Sequence, residues 1–414
     1  MNTETLFLYF FFGLLPLCAI AYIIGKRKAV SGTSPGIKLH SRPGHYGWYA
    51  ALWLALPPLI AALIASVMHL FGIVTVPGTF LLSACLVLAA AGLLAGLKTI
   101  HPKLRARNKI EAVIKWFLIA ASLISILTTV GIVISILFES IKFFEMVSIW
   151  EFLTGTQWEP DAAFLGAAGR EGEQMSEPLF GSVPIFAGTF MITAIAMAVA
   201  VPIGLFSAIY MSEYAPLKVR KTVKPILEIL AGIPTVVYGF FAAITVTPLV
   251  VDAAAFFGLE ADYTNALSPG LVMGVMIIPL VSSLSDDVIN SVPQNLREGA
   301  YALGTTYSET IKHVVLPAAL PGIVSSFLLA VSRALGETMI VVMAAGLRPN
   351  LTMNPLEGMT TVTVRIVDAL TGDQSFDSPE TLSAFGLGMV LLLVTLTLNV
   401  ISIIVIRRFR QKYE

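Results

Sequence analysis

The sequence predicts an all-α integral membrane protein with about nine transmembrane helices. Three observations carry that expectation. Of the 414 residues, 56% are hydrophobic and only 13% charged, about half the charged share of a soluble domain. Nine apolar runs reach the roughly 20 residues a spanning helix needs: 5-25, 48-71, 78-97, 116-138, 183-211, 225-250, 267-290, 318-346 and 381-406. Loop charge also alternates in sign along the chain, as it does when Lys/Arg-rich loops stay in the cytoplasm. The formal net charge is zero, which argues against a nucleic-acid partner.

The first run is followed, not preceded, by Lys26-Arg27-Lys28. It therefore reads as a retained helix with its N-terminus outside, not as a cleaved signal peptide. A Gly/Ser/Pro-rich stretch over 31-47 is expected as a cytoplasmic linker. Pro57-Pro58 interrupts the second run, and a short turn joins it to the third; His69, near a span end, reads as interfacial. Lys98, Lys103, Arg105, Arg107, Lys109 and Lys115 against Glu111 mark the next loop as cytoplasmic. The 139-180 loop is acidic from Glu139 to Glu177, with Lys142 and Arg170 its only cations, and is expected outside. Lys218, Arg220, Lys221 and Lys224 return to the cytoplasm, as does the tail Arg407-Arg408-Phe409-Arg410-Gln411-Lys412. Nine spans from an outside start end inside. The expected organisation is a three-helix extension over 1-110 and a six-helix core over 111-414. Cys18 and Cys85 lie in apolar runs and read as packing residues, with no disulfide framework or metal spacing.

Chemistry concentrates in few places. The 318-346 run contains Ser332-Arg333-Ala334-Leu335-Gly336-Glu337-Thr338. Arg333 lies near its middle, and Glu337, four residues on, is expected on the same helix face. A charge at the bilayer centre costs at least ~2.5–3.5 kcal/mol and faces the bundle interior or a watery cavity. The pair is either a structural ion pair or a path lining. In the second case the guanidinium fork takes an oxyanion, and Glu337 orients it and keeps the anion releasable. Asp286 and Asp287 read as solvated charges or helix-terminus contacts on the cytoplasmic side. Ser182 and Thr189 either touch an oxyanion or bond their own backbone. Pro202, Gly204, Gly232, Pro234, Gly239, Gly274 and Pro279 permit close packing or bends. No phosphate-binding G-x-x-x-x-G-K-[S/T], H-E-x-x-H or C-x-x-C is present. No catalytic residue, cofactor or metal is expected, so energy must come from another polypeptide or an ion gradient.

A charged, patterned segment separates two late spans. Glu298-Gly299-Ala300-Tyr301-Ala302-Leu303-Gly304 is followed nine residues later by Val314-Val315-Leu316-Pro317. Pro293 suits a helix start, and Glu298 is expected in the early turns, where the dipole favours it. Gly299, Ala300 and Ala302 let a partner approach, and Gly304 ends the helix. Tyr307, Ile311 and Val314 continue an apolar stripe, and Pro317 is expected to restart the chain as a membrane helix. The pattern resembles the coupling loop of permeases in ABC importers, with Gly299 replacing the Ala that follows its Glu and Val314 its Ile.

Other stretches extend the likeness: Arg333 to Met339, Trp158-x-Pro160, Phe180-Gly181-x-x-Pro184, Ser212-Glu213-Tyr214-Ala215-Pro216 and Gly232-Ile233-Pro234-Thr235-Val236-Val237-Tyr238-Gly239. With these, residues 116-410 resemble the permease subunits of phosphate-specific ABC importers, of the PstC type more than its sister PstA. The resemblance implies inorganic phosphate as substrate and a PstS-like binding protein delivering it. It also implies a PstA-like second permease and a PstB-like ATPase dimer docked on 292-317, all at the cytoplasmic membrane. By the same likeness, Arg333 and Glu337 match the family's intramembrane charges. Glu298, Gly299, Ala300, Gly304, Leu316 and Pro317 match its ATPase-docking loop. Residues 1-110 depart from the six-span pattern. Competing readings are a permease for phosphonate, sulfate or molybdate, an ion-coupled secondary transporter, which expects inverted repeats, and a membrane enzyme.

Overall fold

A computed structural model describes residues 3–32, 39–70, 72, 77–160, 178–371 and 378–410. Parts of three sequence expectations lie outside the described residues: 33–38 of the linker, the 161–177 portion of the acidic loop, and Gln411-Lys412 of the tail. The chain divides into two compact units, Met1–Gly131 and Ile132–Glu414.

The first unit contains α1 (Thr3–Ser31), α2 (Pro43–Leu70), α3 (Gly78–Thr99) and the start of α4 (Ala106–Met146). Pro57 and Pro58 fall inside α2 without ending it. Leu14, Leu54, Ala62, Cys85 and Ala89 form part of a shared apolar core, with Cys18 packed against it. Both cysteines are free.

The second unit continues through α5 (Ile149–Thr154), β1 (Trp158–Glu159), β2 (Leu179–Phe180), α6 (Val183–Ile209), α7 (Leu217–Ala231), α8 (Thr235–Phe241), α9 (Thr247–Phe256) and α10 (Leu267–Asn290). Then come α11 (Gln294–Ala302), α12 (Tyr307–Thr310), α13 (Leu316–Leu335), α14 (Met339–Ala344), α15 (Val362–Thr371) and α16 (Pro379–Arg410). Among the described residues, eight helices are long and apolar enough to cross a membrane. The expected run 5-25 falls in α1, which is helical but is not one of the eight.

Two expected spans have different ends. The 225-250 run is broken at Gly232-Ile233-Pro234: α7 is an amphipathic helix with no buried residue, and the spanning segment is Thr235–Phe256. Proline at 234 disfavours helical conformation at Ile233, so the two helices cannot merge. The 318-346 run begins earlier, at Tyr307, and its helix stops at Leu335. Pro317 therefore lies within a continuous helix instead of restarting one.

Prolines also explain three π turns. In each, the residue before a proline bonds five residues back: Ala215 to Tyr210 O, Thr247 to Ala242 O, and Leu316 to Ile311 O. Pro216, Pro248 and Pro317 have no N–H, and their rings clash with the carbonyl four residues earlier. The wider turn moves that carbonyl aside, so the helix through Pro317 stays continuous.

The centre of this unit is the packing of α6 on α10, made close by small residues. A Cβ on Gly274 would lie 2.8 Å from Val199 Cβ and 2.9 Å from Ala196 O. Nearer the start of α6, Gly188 lets the 360 segment lie against it, since a Cβ there would sit 2.1 Å from Thr360 O. Thr189 Oγ1 then accepts from Val362 N–H at 3.0 Å. Substituting Gly188 by Ala is expected to destabilise the protein by about 1–3 kcal/mol through overpacking. A lowered unfolding midpoint in detergent would register it, and an unchanged midpoint would show that the segment can move away freely.

Trp158 and Phe180 pair across β1 and β2 with rings 5.7 Å apart, and Phe152 and Phe143 complete the cluster. The Trp158-x-Pro160 and Phe180-Gly181 stretches thus build this aromatic cluster.

Candidate functional site

Helices α10 and α13 run antiparallel. Gly322 faces Val288, and Ser326 Oγ lies 3.1 Å from Ser285 Oγ. Two turns beyond Ser326, about 10 Å at 1.5 Å per residue, α13 brings Arg333 level with Met276–Leu280, the middle of α10. There it lines a cavity of about 310 Å³ with Lys224, Glu228, Met276, Leu280 and Asp286. Arg333 is exposed in this chain and makes no hydrogen bond or ion pair among the described residues.

The expected Arg333–Glu337 face does not form. The helix ends at Leu335 with Gly336 as its cap, so four-residue spacing no longer aligns the two side chains. Glu337 is half-buried; its Oε1 accepts the Met339 N–H at 3.1 Å, and its carbonyl accepts from Thr363 Oγ1 at 2.8 Å. It organises the start of α14 and ties it to α15.

For Asp286 the structure shows the helix-terminus alternative. It lies inside α10 with no exposure, not in solvent. Arg220 Nη2 donates to both its oxygens at 3.1 Å, Lys224 Nζ approaches at 3.2 Å, and Asn290 Nδ2 donates at 2.8 Å. Asp287 is exposed and also meets Lys224, at 3.4 Å. Burial alone would depress the Lys224 pKa, but the hydrogen bonds and charges of Asp286 and Asp287 outweigh it and raise the pKa above the usual lysine value. This cluster fastens α7 to α10. Both cations are about a third exposed, so freed side chains can reach water. Asp286→Asn is therefore expected to cost about 1–3 kcal/mol, less than a fully buried pair, and loosening of α7 should appear as faster amide exchange over Leu217–Ala231. Unchanged exchange there would contradict the role.

Ser182 and Thr189 are buried and bonded within the protein. Ser182 Oγ donates to Phe152 O at 2.7 Å, and Thr189 Oγ1 to Ile185 O at 2.8 Å. Both hydroxyls are occupied by backbone, the alternative the sequence left open.

The docking-loop residues sit on a short, well-defined device. Pro293 caps α11 instead of opening its first turn, and Glu298 lies midway along it. Leu303 closes the helix and Gly304 follows with φ +83°, the left-handed conformation glycine adopts without strain. Glu298, Gly299 and Gly304 are exposed, Ala300 is buried, and Leu316 and Pro317 are half-buried. A Cβ at Gly299 or Gly304 would meet nothing within 4 Å. Leu303, 87% exposed, is an apolar tip.

Sequence reasoning missed what anchors this helix. Arg297 donates two hydrogen bonds to Glu213, at 2.6 and 2.7 Å, and a third to Ile289 O at 3.0 Å. The Glu213 side chain is 3% exposed. Tyr307 donates to the Glu213 carbonyl and lies edge-on to Tyr214. One arginine thus ties α11 to the π turn after α6 and to the end of α10. The available signal was Ser212-Glu213-Tyr214, recognised as a motif but given no role.

The sequence pattern described as "Binding-protein-dependent transport system inner membrane component" matches residues 200–414. The chain belongs to this family. It is therefore the multi-pass membrane component of an ABC importer and not its ATPase, and works with ATPase and binding-protein partners. A second pattern, "Phosphate ATP-binding cassette transporter", matches residues 11–76. The chain is 34% identical over 278 residues to the "Probable ABC transporter permease protein YqgH" of Bacillus subtilis, covering 67% of this permease and 84% of that one. It is 30% identical over 318 residues to the "Phosphate transport system permease protein PstC" of Haemophilus influenzae, covering 72% and 91%. A solved bacterial alginate ABC transporter aligns over 70% of this permease and 94% of its own chain, at 15% identity and a TM-score of 0.47.

Proposed function

We propose that this permease is a PstC-type subunit that imports inorganic phosphate across the cytoplasmic membrane. The observation that carries the reading is Arg333, a free guanidinium at mid-depth in an open cavity. Its fork suits a tetrahedral oxyanion, and phosphate is the substrate class named for relatives such as the PstC of Haemophilus influenzae. Glu337 supports the path from behind by setting the turn that presents Arg333, instead of pairing with it.

The charge bias of the loops supports an external N-terminus and a cytoplasmic C-terminus. A PstA-like permease would complete the path. Helix α7 supports this, because it buries none of its residues and leaves Leu217, Ile226 and Ile229 at least half exposed. A PstB-like ATPase dimer would seat the α11 tip, and a PstS-like protein would deliver phosphate outside. ATPase closure would pull α11, and through Arg297 both α6 and α10, opening the cavity alternately to each side.

Radiolabelled phosphate uptake in cells carrying the intact importer, against cells lacking this chain, tests the substrate. Phosphate uptake that is lost on deletion and not competed by sulfate or molybdate supports the reading. Unchanged phosphate uptake with a lost sulfate or molybdate signal would overturn the substrate while keeping the permease. For the docking loop, Gly304→Glu is expected to uncouple ATP hydrolysis from uptake. The substitution forces a strained left-handed conformation and places a charge beside the apolar tip. Normal uptake would remove Gly304 from the docking site.

A further inference from the structure

The basic loops of the first unit form one surface. In residues 26–47 and 98–115, Glu111 is the single acid, and among the described residues it pairs with Arg107 at 2.5 Å. Every described Lys and Arg in these stretches is exposed. Hydrogen bonds hold the two connectors side by side. Lys28 Nζ donates to Leu97 O at 2.7 Å, and His40 N–H to Pro102 O at 3.1 Å. The Tyr46 hydroxyl lies 3.2 and 3.0 Å from the carbonyls of Pro102 and Leu104, and Arg107 N–H donates to Ser41 Oγ at 3.4 Å. The cations are therefore preorganised on a folded cap.

Aromatic residues mark its depth. Trp48 is 59% exposed, edge-on to Tyr22, and Trp116 is 72% exposed just beyond Lys115. Exposed Trp next to a cationic rim marks the headgroup level of a bilayer. We propose that this cap is a binding site for anionic phospholipid headgroups of the cytoplasmic leaflet. Charge complementarity and the aromatic ring favour lipid over a soluble acidic partner, which would need no interfacial Trp. The leaflet follows from the orientation proposed above. The binding itself is read without it, so failure of one leaves the other standing.

The test uses the full chain in its complex, in detergent doped with phosphatidylglycerol or phosphatidylcholine, and native mass spectrometry of retained lipid. Near an anionic surface each cation strengthens association about fivefold. A variant with Arg27→Gln, Lys103→Gln, Arg105→Gln and Lys109→Gln removes side chains that take no part in the hydrogen bonds above. It is expected to lose phosphatidylglycerol retention by about tenfold or more, with phosphatidylcholine unaffected. The charge-keeping counterpart (Arg27→Lys, Lys103→Arg, Arg105→Lys, Lys109→Arg) is expected to retain it, and high salt to weaken it. Equal retention of the two lipids by the native protein, or full retention by the Gln variant, would overturn the proposal. Displacement by millimolar inorganic phosphate would overturn it too, by assigning the cap to free anions.

Discussion

Arg333→Leu is expected to abolish phosphate uptake while leaving the complex assembled. The separation of effects follows from geometry. Arg333 makes no internal hydrogen bond or ion pair among the described residues and is exposed into the cavity, so the folded chain loses little when it is removed, within about 0.5 kcal/mol for a site of this kind. A translocating anion loses much more. Each hydrogen bond from a charged donor contributes about 1.5–3 kcal/mol, and a fork offers two, so transport should fall roughly a hundredfold or more. Arg333→Lys should retain part of the activity, since it keeps the charge but not the fork. ATPase activity and subunit composition, measured on the same membranes, decide the interpretation. Loss of the assembled complex in Arg333→Leu would mean that the arginine supports structure and not the path.

Glu213→Ala is expected to uncouple the importer. The Arg297–Glu213 pair is nearly dry, at 13% and 3% side-chain exposure. Removing one member strands the other charge, at a cost on the order of 3–5 kcal/mol for a buried pair. That cost falls on the junction of α11, α6 and α10. ATP hydrolysis should persist or rise while phosphate uptake drops at least tenfold. Glu213→Ala combined with Arg297→Ala should be more stable than Glu213→Ala alone, because the stranded cation is gone, yet remain uncoupled. If both single variants couple normally, the ion pair does not transmit motion. This junction also widens the expected mechanism. Because Glu213 lies in the π turn that follows α6, the proposed stroke would reach α6 as well as α10.

What was legible in the sequence was whatever depends on local chemistry. Apolar runs marked most spans, and Gly304 announced the helix end that its φ of +83° realises. Hidden were features set by breaks and by distant partners. Averaged hydropathy joined α7 to the following span, although Gly232-Ile233-Pro234 separates an amphipathic helix from an apolar one. Gly336 ends α13 and so dissolves the Arg333–Glu337 face that unbroken helical spacing implied. Asp286 stayed open between a solvated charge and a helix-terminus contact because its partners, Arg220 and Lys224, lie more than sixty residues upstream. Arg333 and the docking-loop segment were thus candidates from the sequence alone. Their supports at Glu213, Arg297 and Asp286 emerged only when the helices were brought together.

The most direct test of the central claim is ATP-driven phosphate accumulation by the purified complex in proteoliposomes, with binding protein supplied on the outer side. The account predicts accumulation that requires this chain, is lost in Arg333→Leu, and is unaffected by sulfate. Phosphate accumulation that persists in Arg333→Leu at the native rate would contradict it.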